Sequence, residues 1–167
     1  MHFRRAIIYN HVAKRKLPPP EDAPSHICDT ITSWRIFDAV DANRRSRVAV
    51  WIDQEKIGKR EIGQLNQKIE MLEKSGPDLG PQLLAGPIKS KNNKKMVSHI
   101  YKLRMNGDWA LRPLLCKGPI DMDREYTLLL GAIEVNSVLD TDAEDAEAIR
   151  SAILADENKR TPHERYK

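Results

Sequence analysis

Cationic side chains recur at strand spacing in the segment Ser98–Arg104 and just beyond it. Side chains of a strand alternate between the two faces of a sheet, so Lys102 and Arg104 are predicted to share one face. An Asn-Gly pair at 106–107 can form the turn of a β-hairpin. Arg112 would then lie on the partner strand, close to the other two. Three cations that converge on one open face predict a surface that binds phosphates.

If the bound phosphate is part of an RNA backbone, cleavage without a metal would need a base for the ribose 2′-hydroxyl, cations for the phosphorane, and an acid for the leaving oxygen. Lys102, Arg104 and Arg112 are the predicted catalytic contacts to the phosphate. Histidine titrates near neutral pH. His163 is therefore predicted as an acid or base, if the C-terminal tail folds back over the basic face. Tyr166 could be supplied in the same way, and the alternative is a tail that stays in solvent.

Each of these roles has a structural alternative. Arg104 could be partly buried and pair with an acid that holds the sheet together. His99 falls on the opposite face of its strand from Lys102, which favours an ordinary histidine at the sheet edge. Glu134, at the end of a later strand, could serve as a base or be an ordinary exposed carboxylate.

The charge of the chain is unevenly distributed along its length. The formal net charge is +4. Residues 44–117 carry sixteen lysines and arginines against seven acids, whereas residues 118–167 carry six against twelve. This asymmetry indicates a polyanionic partner such as nucleic acid. No acidic residue lies between Leu79 and Gly107. The residues of this stretch that are predicted to bind RNA are Lys89, Lys91, Lys94 and Lys95. The alternative is that these lysines form a simple solvated loop.

Cysteines and apolar runs exclude several other classes. Cys28 and Cys116 are too few and too far apart for a disulfide framework or a zinc site. The sequence also contains no other metal-ligand spacing and no glycine-rich phosphate loop, so no metal or cofactor is predicted. No apolar run is long enough to cross a membrane. We therefore expect a protein of the reducing cytoplasm, without a membrane partner.

Composition and periodicity divide the chain into three parts. Residues 1–31 are predicted to be an N-terminal extension whose Pro-rich segment, 17–24, acts as a stiff linker. Residues 32–155 are predicted to form one domain, and residues 156–167 a polar C-terminal tail.

The predicted elements of the domain form an α+β order. A strand precedes a helical hairpin, then three strands and a final helix follow. The first strand spans about 32–40, and the first helix spans about 42–57 with Asp41 as its cap. The second helix carries Ile62, Leu65, Ile69 and Leu72 on one stripe and stops at Gly76–Pro77. The three later strands span about 98–105, 109–117 and 125–133, and the final helix opens at Thr141 and buries Ala146, Ile149 and Ile153.

Several of these segments together resemble the RelE/HigB superfamily of bacterial toxins, in particular its phage-derived HigB-like branch. The similarity covers roughly residues 32–155. The segments that carry it are a hairpin ending in Leu72–Gly76, the Gly-Pro-rich loop that follows, the strand Ile100–Arg104, Arg112 on the next strand, and the apolar strand Tyr126–Gly131. The resemblance implies a RelE-like fold, with an N-terminal strand and a helical hairpin packed on a small antiparallel sheet and a C-terminal helix.

The resemblance also implies a function. Toxins of this family belong to type II toxin-antitoxin systems and usually cleave messenger RNA on the ribosome, and a cognate antitoxin covers the basic face. The sequence departs from the family pattern in two places. Lys102 stands where Glu is common, and the segment Gly131–Asn136 stands where a run of basic residues is usual. The alternatives therefore stay open: a RelE-like protein that binds nucleic acid or a partner without catalysis, or a ParE-like toxin that inhibits DNA gyrase.

Overall fold

The computed structural model describes most of the predicted domain. The described residues are 33–89, 96–105, 107, 110–134 and 142–167, with Met96 described by its backbone alone. The chain divides into two units, Met1–Ile31 and Thr32–Lys167, and every described residue belongs to the second unit. The N-terminal extension and its Pro-rich linker lie outside the described residues.

The described residues form three α-helices and eight β-strands. The strands are β1 (Arg35–Ala39), β2 (Leu84–Ala85), β3 (Ile88–Lys89), β4 (Met96–Val97), β5 (Ile100–Leu103), β6 (Leu114–Lys117), β7 (Glu125–Leu130) and β8 (Arg160–Pro162). The helices are α1 (Arg47–Gln54), α2 (Lys59–Ser75) and α3 (Asp142–Ala155).

Six strands form one mixed sheet in the order β2-β5-β6-β7-β1-β8, and β3 pairs with β4 separately. β1 runs parallel to β7, with Phe37 opposite Thr127, whereas the other neighbours in this sheet are antiparallel. The predicted α+β class is confirmed, but the prediction of an antiparallel sheet is wrong. β7 is buried along most of its length, as a central strand covered on both faces must be, and the first strand joins it in parallel.

Helices α1 and α2 cover one face of this sheet, as the predicted hairpin required. The stripe of α2 points into a core that it shares with α1, β5 and β6. The helix ends at Gly76, whose φ of 51° suits glycine and whose N–H bonds to the carbonyl of Leu72. Buried members of this core include Val48, Trp51, Leu65, Ile69, Leu72, Leu103, Leu115 and Leu128.

Helix α3 covers the opposite face, so the sheet has no open face at its centre. Ala146 and Ile153 are buried and Ile149 is half-buried, as the sequence stripe predicted. This second core is completed by Ala39, Ile88, Ile100, Leu114, Cys116, Leu129, Ala132 and Ala143.

Helix α1 begins later than predicted. Ser46 caps it by accepting a hydrogen bond from the N–H of Ala49 at 3.2 Å. Asp41 instead accepts from the N–H groups of Asn43 and Arg45 and closes a turn. Both residue types cap helices and turns, so the sequence alone favoured the wrong one.

The C-terminal segment belongs to the fold, and the prediction of a polar tail over residues 156–167 is wrong. β8 pairs with β1, and Tyr166 lies in the core beneath α1 and α2. The side chain of Asn66 on α2 bonds both the N–H and the carbonyl of Tyr166, at 3.1 and 2.9 Å. Polar residues thus enter the fold here because they have specific partners, which composition does not reveal.

Candidate functional site

Lys102, Arg112 and Glu134 form one ionic cluster, called the Glu134 cluster below. Lys102 lies on β5, on the same face as Ile100 and therefore on the α3 side. Arg112 precedes β6, and Glu134 follows β7. A bridge between residues 111 and 133 and a 2.9 Å bond from the N–H of Glu134 to the carbonyl of residue 110 hold the two segments side by side. The order of β5, β6 and β7 in the sheet therefore brings three residues together that are distant in sequence.

Glu134 uses both of its carboxylate oxygens. Oε1 accepts from Nζ of Lys102, and Oε2 accepts from Nε of Arg112 at 2.6 Å. Nη1 of Arg112 also donates to the carbonyls of Met105 and Leu111, at 3.0 and 2.8 Å. These backbone contacts fix the guanidinium, whereas Lys102 is held by a flexible stem and a single ion pair.

The cluster is half-buried and contains two cations but only one carboxylate. The side chains of Lys102 and Arg112 are each 15% exposed and that of Glu134 is 10% exposed. Burial would raise the pKa of Glu134, but the hydrogen bonds and charges of Lys102 and Arg112 outweigh it and hold the pKa below its ordinary value. The carboxylate is therefore ionised at neutral pH, and the cluster carries a net charge of +1.

Arg104 is not part of this cluster. It follows the end of β5, its N–H bonds to the carbonyl of Leu83, and its side chain is exposed. No ion pair joins it to another described residue. The prediction of three cations on one open face is therefore wrong, because α3 covers that face and Glu134 binds two of the three cations. The alternative of a partly buried, paired arginine fits Arg112, not Arg104.

The structure describes only one of the four lysines that were predicted to bind RNA. Lys89 lies on β3 with an exposed side chain. Lys91, Lys94 and Lys95 lie outside the described residues, so their role stays a prediction.

His163 lies far from these cations. Its Nδ1 is 2.9 Å from Oδ2 of Asp38 on β1, and Tyr166 donates its hydroxyl to Oδ1 of the same carboxylate at 2.6 Å. Burial and the charge of Asp38 hold the pKa of Tyr166 well above its ordinary value, so this hydroxyl stays protonated and donates. The sheet order places β8 four strands from β5, roughly 19 Å at the usual strand spacing. The prediction that His163 or Tyr166 folds back over the basic face is wrong.

Sequence reasoning missed Asp38, Glu125 and Arg160. Asp38 is 2% exposed, and a cavity of about 440 Å³ borders it between α1 and the C-terminal segment. Glu125 and Arg160 form a buried ion pair at 2.6 Å. A charged residue within the apolar run Ile36–Val40 was a usable signal for Asp38, because an acid inside a strand is unusual without a buried partner. No comparable signal marks Arg160.

The described residues hold no group of three or more His, Cys, Asp or Glu side chains that could bind a metal ion. Cys116 is buried, and burial raises its pKa to about 12, so this thiol is not a nucleophile at neutral pH. His99 is exposed in the turn before β5, outside the strand in which alternation had placed it. None of the described helices is both long and apolar enough to span a membrane.

Comparison of the chain with protein-family models, with curated proteins and with solved structures finds no significant match. The functional hypotheses therefore depend on the residues of this chain and on the geometry of the Glu134 cluster.

Proposed function

We propose that this chain is a RelE/HigB-like toxin of a type II toxin-antitoxin system that cleaves ribosome-bound messenger RNA without a metal. The observation that supports this proposal most is the Glu134 cluster, in which an ionised carboxylate contacts a lysine and an arginine and all three side chains are partly exposed to solvent. Such a cleavage requires a base, phosphate-binding cations and an acid, and in this cluster Lys102 can serve both as a cation and as the acid. The element order of the described domain, a strand, a helical hairpin, further strands and a helix, also supports the proposal.

The proposed reaction is an attack of the ribose 2′-oxygen on the adjacent phosphorus. Glu134 takes the proton of the 2′-hydroxyl as the new oxygen–phosphorus bond forms. Lys102 and Arg112 stabilise the negative charge of the phosphorane, and Arg104, exposed nearby, binds a neighbouring phosphate.

The bond from phosphorus to the 5′-oxygen then breaks, and this oxygen takes a proton from the ammonium of Lys102. The products are a 2′,3′-cyclic phosphate and a 5′-hydroxyl end. Proton exchange with water restores Glu134 and Lys102. The implied partners are messenger RNA, the ribosome and an antitoxin that covers the basic residues, and the implied place of action is the cytoplasm.

A second candidate function is binding of nucleic acid or a protein partner without catalysis. The observation that favours it is that Glu134 already neutralises one of the two cations, which weakens the site as a stabiliser of phosphorane charge. This function predicts RNA binding that weakens with salt and no strand scission.

Induction of the protein in bacteria, followed by mapping of transcript 5′ ends, tests the proposal. We expect growth arrest and new 5′-hydroxyl ends within translated regions, which Arg112→Ala and Glu134→Gln abolish while the proteins stay folded. Arg45→Ala, which removes an exposed arginine paired with Asp53, is the matched control and should cleave as the wild type does.

Equal cleavage by a folded Arg112→Ala protein would contradict the proposal. RNA binding without new ends would favour the second candidate. DNA damage without translational arrest would indicate a gyrase inhibitor instead.

A further inference from the structure

The carboxylate of Glu134 lies between Lys102 and Arg112, where a bound phosphate would be expected. Its two oxygens meet Nζ of Lys102 and Nε of Arg112, and an arginine binds carboxylate and phosphate oxygens with the same directed N–H groups. The carbonyls of Met105 and Leu111 fix the other side of the guanidinium, so its Nε–H direction does not depend on Glu134.

We propose that Glu134 holds the anion position of this site in the resting protein, and that a phosphodiester of RNA binds by displacing the carboxylate from Lys102 and Arg112. The inference rests on the proposed function for the identity of the anion as RNA. The geometry of the cluster supports the displacement itself.

The geometry allows the exchange. Each of the three side chains retains 10–15% exposure, so none of them is sealed from solvent. The backbone of Glu134 is held by its bond to the carbonyl of Ala110, whereas the carboxylate has no described partner other than the two cations. A rotation of the side chain therefore releases both contacts without a change in the sheet.

The exchange also preserves charge balance. A phosphodiester carries one negative charge, as the carboxylate does, so Lys102 and Arg112 stay paired when one anion replaces the other. A half-buried cation pair without any anion would be costly, and Glu134 prevents that state while RNA is absent.

Displacement would convert Glu134 from a counter-ion into a base. The hydrogen bonds of the resting cluster hold its pKa low, which makes it a weak base. When Lys102 and Arg112 bind phosphate, those bonds are lost and a negative phosphate lies beside the carboxylate, and both changes favour the protonated form of Glu134. RNA binding itself thus prepares Glu134 to accept the 2′-hydroxyl proton.

Binding of an RNA oligonucleotide with 2′-O-methyl groups, which removes the attacking hydroxyl, tests the displacement. Glu134→Gln removes the competing charge, and we expect it to bind at least about tenfold more tightly than the wild type, a factor that corresponds to about 1.4 kcal/mol. Glu70→Gln is the matched control, since it removes one carboxylate from an exposed ion pair with Arg165. We expect it to change the affinity less than about twofold.

A measurement on the wild-type chain keeps the test valid if Glu134→Gln does not fold. Carbon-13 NMR of the Glu134 carboxylate reports its pKa with and without the 2′-O-methyl RNA. We expect the pKa to rise on binding. An unchanged pKa under saturating RNA would overturn the inference, as would a folded Glu134→Gln protein that binds no more tightly than the Glu70→Gln control.

Cleavage of unmodified RNA separates the inference from the proposed function. Tighter binding by Glu134→Gln together with a wild type that does not cleave would refute the function and support the displacement. Cleavage by the wild type with unchanged affinity of Glu134→Gln would support the function and refute the displacement.

Discussion

Tyr166→Phe tests whether the C-terminal segment is a structural part of the domain. The Tyr166 hydroxyl donates to the Asp38 carboxylate at 2.6 Å, and both side chains are buried. A hydrogen bond to a charged group contributes about 1.5–3 kcal/mol, and its loss leaves a buried carboxylate oxygen without this donor. We therefore expect a loss of about 2 kcal/mol in the free energy of unfolding.

Urea unfolding followed by tryptophan fluorescence measures this loss. With a slope of about 2 kcal/mol per molar urea, the midpoint should fall by about 1 M. Tyr126→Phe is the matched control, because Tyr126 is buried in the same core and its hydroxyl bonds to no other described residue. We expect that variant to lose less than about 0.5 kcal/mol.

A double-mutant cycle with Asp38→Asn locates the effect. If the hydroxyl acts through the carboxylate, the two substitutions should be coupled by at least about 1 kcal/mol. A Tyr166→Phe protein as stable as Tyr126→Phe, or strictly additive losses in the cycle, would refute the role assigned to this segment.

Three further predictions concern stability. Arg160→Ala leaves the buried Glu125 without its main counter-ion and should cost about 3–5 kcal/mol in urea unfolding. Ser46→Ala removes the cap of α1 and should cost about 1 kcal/mol by the same measurement. The pKa of Glu134 is lower in the folded than in the unfolded chain, so its stabilising contribution is present above the ordinary carboxyl pKa of about 4.3 and is lost as the pH falls through the folded value. Stability measured from pH 7 to pH 3 should therefore fall less steeply in Glu134→Gln than in the wild type.

Matched substitutions serve as controls for these three. Arg165→Ala removes an arginine of the same segment from an exposed ion pair and should cost less than about 1 kcal/mol. Ser151→Ala changes an exposed serine within α3 and should not destabilise the protein. Glu70→Gln should keep the acid dependence of the wild type. A variant that behaves like its control would contradict the contact assigned to it.

The elements with strong periodicity could be predicted from the sequence. The stripe of α2 repeats at helical spacing, and Gly76 ends it where a left-handed backbone is needed, so both followed from local chemistry alone. The apolar run of β7 and the stripe of α3 were equally local. These elements also allowed the α+β class to be predicted, because their hydrophobic patterns are those of helices and of a buried strand.

The contacts of the candidate site could not be predicted in the same way. Alternation correctly placed Lys102 opposite Tyr101, but whether that face is open depends on where α3 packs. The sequence showed a carboxylate at position 134, without showing that it would bind Lys102 and Arg112. That contact requires β5, β6 and β7 to be neighbours, which is a property of the sheet order.

The amino-acid sequence by itself thus determined the helices, the apolar strands, the basic middle of the chain and the residue types available for chemistry. Only the tertiary structure decided which charges meet: Glu134 with Lys102 and Arg112, and Asp38 with His163 and Tyr166. The physical reason is the separation along the sequence over which each kind of interaction acts. Backbone propensity and hydrophobic period act over a few residues, whereas an ion pair or a buried hydrogen bond joins residues up to 128 positions apart, once packing has brought their strands together.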